Sequence, residues 1–442
     1  MPLKLYLDNP EIGTKFDAAR AGLPGADKDW LSALRRGAMG KFIDRGLPGP
    51  KVEEWKYTNL GFLVEFLANE NFSARQVTEC QAEAKALFEA AYIDNIAGPT
   101  VVFVNGHFNG GLSTCPGGAG VKFAVFSENP DVFRQGLTGS EPVSPLNELN
   151  RAMARDGYHL DVDAGVTLAQ PIQIIHVATS GTEQQSQRMR AQIRLGAGAK
   201  ARLIESFIGA SGVRYWSHLI SDVDLAKGAE LAHFQFQRQG KQAIHMTEQH
   251  SIVAEKAKFS HMSLQLGAEI SRTELVNSFT GENAEVELRG AYLGRGRQAH
   301  DITTRINHDQ PNCQSNQLFR GVLDEGGKSA FQGKVVVAQD AQKTNADQSN
   351  KNLLLSRKAE ANIKPELLIY ADDVKCTHGA TVGELDSDQL FYLLSRGMDE
   401  ITAKSLLVEA FLAEVFDEET DEILRQKFKE KTAGWLNTGG TS

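Results

Sequence analysis

Cysteine is scarce in this chain. Its 442 residues contain four, Cys80, Cys115, Cys313 and Cys376, and no two stand in CxxC spacing. That excludes a disulfide framework, a self-contained zinc ribbon and a ferredoxin. Basic charge is not in excess either: the net charge is −9, and a nucleic-acid binder needs a basic surface to neutralise phosphates. No run of about 18 apolar residues occurs, so no membrane span is expected. The opening MPLKLYLDNPEIGTKF lacks a basic stretch followed by an apolar one, so no export signal is expected. Together with the cysteine count, this predicts a soluble protein of a reducing, cytoplasmic compartment. Aromatics are 8% of the chain and form no platform of the kind a polysaccharide lyase or hydrolase would use. No GxSxG elbow is present.

The hydrophobic pattern divides the chain into three. Residues 1–160 read as mostly helical. Trp30, Leu31, Leu34, Ala38, Phe42 and Ile43 recur at helical spacing, stopped by Gly46 and Pro48. In EEWKYTNL, residues 53–60, Trp55 and Tyr57 are expected to dock against the core. Ser73 and Gln76 suit a capping box opening a helix to about Tyr92. Thr100 to Val104 reads as a strand closed by Asn105-Gly106. Ser144-Pro145 opens a further helix, with Gly157 as its stop.

Over residues 161–385 alternation replaces helical periodicity. A small residue followed by a charged one and a strand recurs at Ala199, Ala229, Ala257, Ala284, Gly327 and Ala359, in steps of 30, 28, 27, 43 and 32 residues. A period in this range with no helices between strands predicts a β-solenoid, the small residue turning each tight corner. A β-sandwich with coincidental turn spacing is the alternative. Residues 386–442 return to helical spacing, with Ile401, Leu406, Leu407, Ala410, Phe411 and Val415 on one stripe. This helical end is expected to cap the last coil, since a bare solenoid end exposes strand edges. The tail from Thr438 to Ser442 is expected to be disordered.

Candidate chemistry is sparse. GVLDEGGKS, Gly321 to Ser329, resembles a phosphate-binding loop. It has five residues where the pattern has four, and a strand follows where a helix is required, so no bound nucleotide is expected. His218, His233, His245, His250 and His261 form no ligand motif and read as surface or coil-stacking residues. Lys375-Cys376-Thr377-His378-Gly379 is the informative run. In a strand, residues i and i+2 share a face, so Cys376 and His378 would present a thiol and an imidazole together. Two ligands do not close a metal site. The pair is either structural or half of a site that another chain completes.

Four stretches carry a family resemblance: QSNQLFRGVLDEGGKSAFQGKVVV, QSNKNLLLS (Gln348 to Ser356), IYADDVKCTHGATVGELD (Ile369 to Asp386) and the N-terminal GLPGPKVEEWKYTNL (Gly46 to Leu60). Together the chain resembles the SufB/SufD family of iron–sulfur cluster assembly proteins, on its SufD branch. The resemblance implies a right-handed parallel β-helix flanked by helical regions. It implies a non-catalytic scaffold subunit that pairs with a SufB-like subunit and a SufC-like ABC ATPase, and it allows a homodimer when the chain is isolated. His378 would be the ligand offered to a transient iron–sulfur cluster shared with SufB. Cys376 matches the nearby motif cysteine. About Asp386 to Phe416 would dock the ATPase. A structural partner-binding solenoid with no iron role shares every one of these architectural features.

Overall fold

The computed structural model describes residues 9–72, 81–139, 144–416 and 421–437. The capping box at Ser73, Cys80 and the C-terminal tail lie outside them. The strands, in chain order, are β1 (Thr100–Val104), β2 (His107–Phe108), β3 (Val121–Val125), β4 (Asp156–Val162), β5 (Ile172–Ala178), β6 (Ser186–Leu195), β7 (Lys200–Gly209), β8 (Trp216–Leu225), β9 (Glu230–Arg238), β10 (Ile244–Val253), β11 (Lys258–Gln265), β12 (Ile270–Phe279), β13 (Glu285–Arg295), β14 (Ala299–His308), β15 (Gln314–Asp324), β16 (Lys328–Val337), β17 (Asn345–Leu354), β18 (Glu360–Ile369) and β19 (Lys375–Glu384). From β4 onward the even-numbered strands stack in one parallel sheet and the odd-numbered strands in the other. Each even–odd pair is one coil, so β4/β5 to β18/β19 make eight coils. The fold is the expected parallel β-solenoid. β1 and β3 extend the two sheets from within residues 1–160.

The corners explain why this sequence coils. Gly198, Gly228, Lys256, Asn283, Asn312 and Lys343 all have positive φ, and each immediately precedes a fully or almost fully buried residue: Ala199, Ala229, Ala257, Ala284, Cys313 and Thr344. The left-handed residue reverses the chain. The residue after it turns inward, where Ala199, Ala229, Ala257, Ala284 and Cys313 join one continuous core. Each left-handed N–H donates to a carbonyl in the next coil's corner: Gly228 to Glu255 at 2.8 Å, Lys256 to Glu282 at 2.9 Å, Asn312 to Gln342 at 2.9 Å. The predicted series of corners mixes two edges. Gly327 and Ala359 precede β16 and β18 of the even sheet, whereas Ala199 to Ala284 precede odd strands. The 43-residue step is the change of edge. The GVLDEGGKS run is one of these corners, with Glu325 at φ 52°.

The interior is polar in part. Glu205 is fully buried. His176 Nε2 lies 2.9 Å from Oε1 and His233 Nε2 lies 3.2 Å from Oε2. Tyr158 and Gln235 donate to the same carboxylate at 3.2 and 3.0 Å. Burial alone would raise this carboxyl, but the two imidazoles hold it well below the usual range. His233, His245 and His261 thus face inward between coils. Outside, His218 stacks on Trp216 and His250 pairs with Glu248. The expected stacking between coils holds for His233 and His261, whose rings meet in register, while His250 alone of the five is partly exposed.

Helices cover both outer faces. The N-terminal set is α1 (Asn9–Ala19), α2 (Asp29–Arg45), α3 (Gly61–Asn69), α4 (Gln81–Ala91), α5 (Arg134–Gly139) and α6 (Pro145–Met153). α6 starts at the expected Ser144 cap, whose Oγ accepts from Asn147. It ends at Met153, before Gly157, because Asp156 and Gly157 already belong to β4. Phe66, Leu146 and Leu149 pack on Trp216, Ile244 and Met246 of the even sheet. Glu70 and Arg188 form a buried ion pair at 2.7 Å. The expected docking of Trp55 is observed: it is buried with the Arg272 guanidinium 3.9 Å over its ring, while Tyr57 is half-buried.

The C-terminal helices are α7 (Ser387–Ser395), α8 (Glu400–Phe416) and α9 (Glu422–Asn437). They do not cap the last coil as expected. α8 and α9 lie along the outer face of the odd sheet, where Leu412, Val415 and Phe428 pack on Phe234, Phe236, Leu264 and Val322. Both faces of these strands are apolar, as in other buried parallel sheets, so the outer face needs a cover and takes the helices.

Two predictions follow from the corners and the buried imidazoles. Ala257→Leu should cost about 3 kcal/mol by overpacking a corner that cannot widen, whereas Lys256→Gly should stabilise by up to about 1 kcal/mol by relieving a left-handed side chain. Denaturant unfolding of both variants checks this. Stability should also fall as pH drops below 6.5. Burial pushes His218 and His245 down to about 3 and His300 and His308 down to about 4. The unfolded chain therefore takes up protons between pH 6.5 and about 4 that the folded chain refuses. Each group contributes a slope of up to about 1.4 kcal/mol per pH unit. His250, which its Glu248 partner raises against burial, works in the opposite direction and is outnumbered. A stability profile flat from pH 7 to 5 would contradict this reading.

Candidate functional site

The last coil is the exposed one. Along β19 every residue is exposed except Cys376, which is half-buried. Among the described residues β19 pairs only with β17 and β18 only with β16, so both form free edges. The two edges differ in sequence. β18 carries Glu360, Lys364 and Glu366, while β19 has Lys375 and Glu384 at its ends and neither acidic nor Lys/Arg side chains between them. Charges along an edge block strand addition. The β18 edge is guarded and the β19 edge is not.

Register places the sequence candidates. Cys376 pairs with Ala346, His378 with Gln348 and Ala380 with Asn350. Ala346, Gln348 and Asn350 are buried in the solenoid. Cys376 and His378 therefore share the face that continues the interior rows, as the alternation predicts, at the point where the interior opens. Cys376 packs beside Val335, Val337 and Ala341. Burial first, and then the nearby Asp347 charge, push its thiol up. That is a protonated, weakly nucleophilic cysteine. The intervening Thr377 points to the other face and donates to Asp347.

Iron favours thiolate and imidazole donors, and this end supplies one of each. Among the described residues no group of three or more His, Cys, Asp or Glu side chains is placed to hold a metal ion. By itself the pair is two donors, too few to close a metal site. The GVLDEGGKS corner opens no helix and offers no phosphate cradle. A cleft of about 780 Å³ involving His107, Arg155 and Asp156 lies beside β1 and β2, at the opposite end of the odd sheet from β19.

Exposed apolar side chains cluster in sequence around the open end. Tyr370 precedes β19 and Val382 lies on it. Phe391 (72% exposed), Tyr392, Ile401 (63% exposed) and Leu406 follow on α7 and α8. No residue of α7 is buried. Surface of this kind marks an interaction site. Sequence reading found Cys376 and His378 and passed over Gln348. Its signal was its place at the head of the Gln348, Asn350, Asn352 alternation, one coil before His378.

Among the described residues no helix is long and apolar enough to cross a membrane. Residues 176–411 match the SufBD core domain of the SUF system for iron–sulfur cluster assembly, and residues 12–174 match the SufBD N-terminal region. The chain is 33% identical to the iron–sulfur cluster assembly protein SufD of Escherichia coli, covering 88% of this chain and 89% of that protein. It is 30% identical to an iron–sulfur cluster assembly SufBD family protein of Synechocystis, covering 92% of each. A chloroplastic protein of Arabidopsis thaliana, ABCI7, is 28% identical over 72% of this chain and 69% of its own length. With the two family regions matched over residues 12–174 and 176–411 and a SufD relative aligned over 88% of the chain, the chain belongs to the SufBD family of iron–sulfur cluster assembly proteins, on its SufD branch.

Proposed function

We propose that this chain is a non-catalytic scaffold subunit that holds one half of a cluster-assembly site. The unguarded β19 edge carries this reading. A SufB-like subunit adds its own terminal strand to β19, and main-chain hydrogen bonds across the seam give the pair its affinity. His378 then faces donors of that partner, and a nascent iron–sulfur cluster is held between them as cargo. A SufC-like ABC ATPase docks on the exposed apolar side chains of α7 and α8, Phe391, Tyr392, Ile401 and Leu406. Cys376, half-buried beside Val335, Val337 and Ala341, supports the seam by packing. The two relatives named for iron–sulfur cluster assembly support the chemistry. The lone imidazole and thiol support a site finished by a second chain.

The test is reconstitution. His378→Ala should leave the unfolding midpoint and co-purification of all three subunits unchanged, while cluster formation in the complex falls about tenfold or more. Clusters forming at the normal rate, with iron and sulfide contents unaltered, would instead favour a structural partner with no iron role. Docking of the ATPase is tested separately. Phe391→Asp should abolish capture of the ATPase by the tagged chain. It should change stability by no more than about 0.5 kcal/mol, as befits an exposed position.

A further inference from the structure

His378 stands at the end of a row that runs through the solenoid. In register, the row reads His233, His261, Leu288, Gln317, Gln348, His378. Leu288 separates the two inner histidines from the last three residues. Those three form a polar segment that ends at the open coil.

Among the described residues two buried members of this row, His261 and Gln348, lack any side-chain hydrogen bond, and the one beside the open coil is Gln348. It is 3% exposed, yet neither its Oε1 nor its Nε2 has a hydrogen-bond partner among the described residues. Its neighbours on the same strand are satisfied. Asn352 donates to Asn350 at 2.7 Å, Asn350 donates to Tyr292 at 3.0 Å, and Tyr292 donates back to Asn352 at 2.8 Å. Gln317, one coil inward, accepts from Thr304 at 2.6 Å, which satisfies its Oε1 but not its Nε2. The lumen makes room for the Gln348 amide: across it stands Gly333, where a Cβ would collide with Nε2. An amide buried without a partner costs about 1–3 kcal/mol. The next position of its row is His378, the one neighbouring side chain of that row with a ring N–H facing the open coil.

We infer that Gln348 is a positioning residue for His378. Its Oε1 accepts the N–H of one ring nitrogen, which fixes the tautomer and turns the unprotonated nitrogen outward to the seam. In-register residues of adjacent parallel strands lie about 4.8 Å apart, within reach for a glutamine and an imidazole pointing the same way. Histidine ligands commonly depend on such an outer partner, which decides which nitrogen is free to bind. The inference rests on the proposed role of His378 as a ligand, but it can be tested apart from it.

The test uses the full chain labelled with ¹⁵N-histidine, the His378 ring signals being assigned by their loss in His378→Gln. At pH 8.5 the wild type should show one protonated and one unprotonated ring nitrogen. Gln348→Leu should move both signals toward the averaged values of a free imidazole. Gln348→Glu, which keeps an acceptor, should restore the single tautomer. Gln317→Leu, one coil further in, should leave it unchanged. The ring signals are the deciding readout, because a purely structural glutamine would change only the unfolding midpoint. Ring signals identical in the wild type and Gln348→Leu would overturn the inference. In the reconstituted complex, Gln348→Leu should weaken ferrous iron binding about tenfold or more. A changed tautomer with unchanged iron affinity would uphold the positioning and sink the ligand role of His378.

Discussion

The structure depends on a hydrogen bond that each coil can complete only through the next. A residue in the left-handed conformation points its N–H away from its own turn, along the stack. Here the acceptor is the corner carbonyl one coil on, from Gly198 to Lys227 through to Lys343 to Asp373. Each corner is therefore tied to its successor, and the stack is built by cooperation between coils as well as by local propensity. The last corner breaks the rule. Asp373 donates backward, to the Gln342 side chain at 2.9 Å. The stack closes by facing inward and leaves its forward edge unpaired.

That arrangement divides the energetic work. Apolar rows at the corners, from Ala199 to Cys313, supply the continuous core. Polar rows in mid-strand are costly to bury and must be satisfied within the lumen. Glu205 shows the solution at one end: four donors converge on one carboxylate. Near the other end the Tyr292–Asn350–Asn352 triangle closes on itself. Unpartnered amide atoms occur at Asn277 in mid-solenoid and again at Gln317 and Gln348, approaching the open coil. The unsatisfied groups of the row below His378 thus lie where a second molecule can change what they meet.

The coil was legible because its corners require small buried residues, and alanine and glycine announce themselves. Cys313 and Thr344 turn the same corner but carry no such label, so the series jumped from one edge to the other at Gly327. Lys256 and Lys343 hold the left-handed position through the bond to the next coil, a contact no local pattern encodes. The lateral path of α8 and α9 was hidden for a related reason. Phe234 and Phe236 point outward and Leu231 inward on one strand, and an apolar strand does not say which face is already covered. Cys376 and His378 were legible because alternation is local. Their register with Ala346 and Gln348 spans a whole coil, and stacking alone reveals it.

An unguarded ten-residue edge is a hazard for a chain that stays alone. Natural sheets blunt such edges with charge, proline or a covering helix. This fold has helices available and places them on the sheet face instead, while the neighbouring β18 edge does carry charges. The contrast argues that β19 is kept open for pairing. Each main-chain hydrogen bond gained there is worth only about 1 kcal/mol net. A seam built from such bonds is cohesive yet separable by a modest movement of either side. On the proposed reading, an imidazole mounted on that edge, with the remaining donors on the other side, would bind while the seam is shut and let go when it parts. A closed cage of four donors within one chain would hold its metal more tightly and would have no comparable way to give it up.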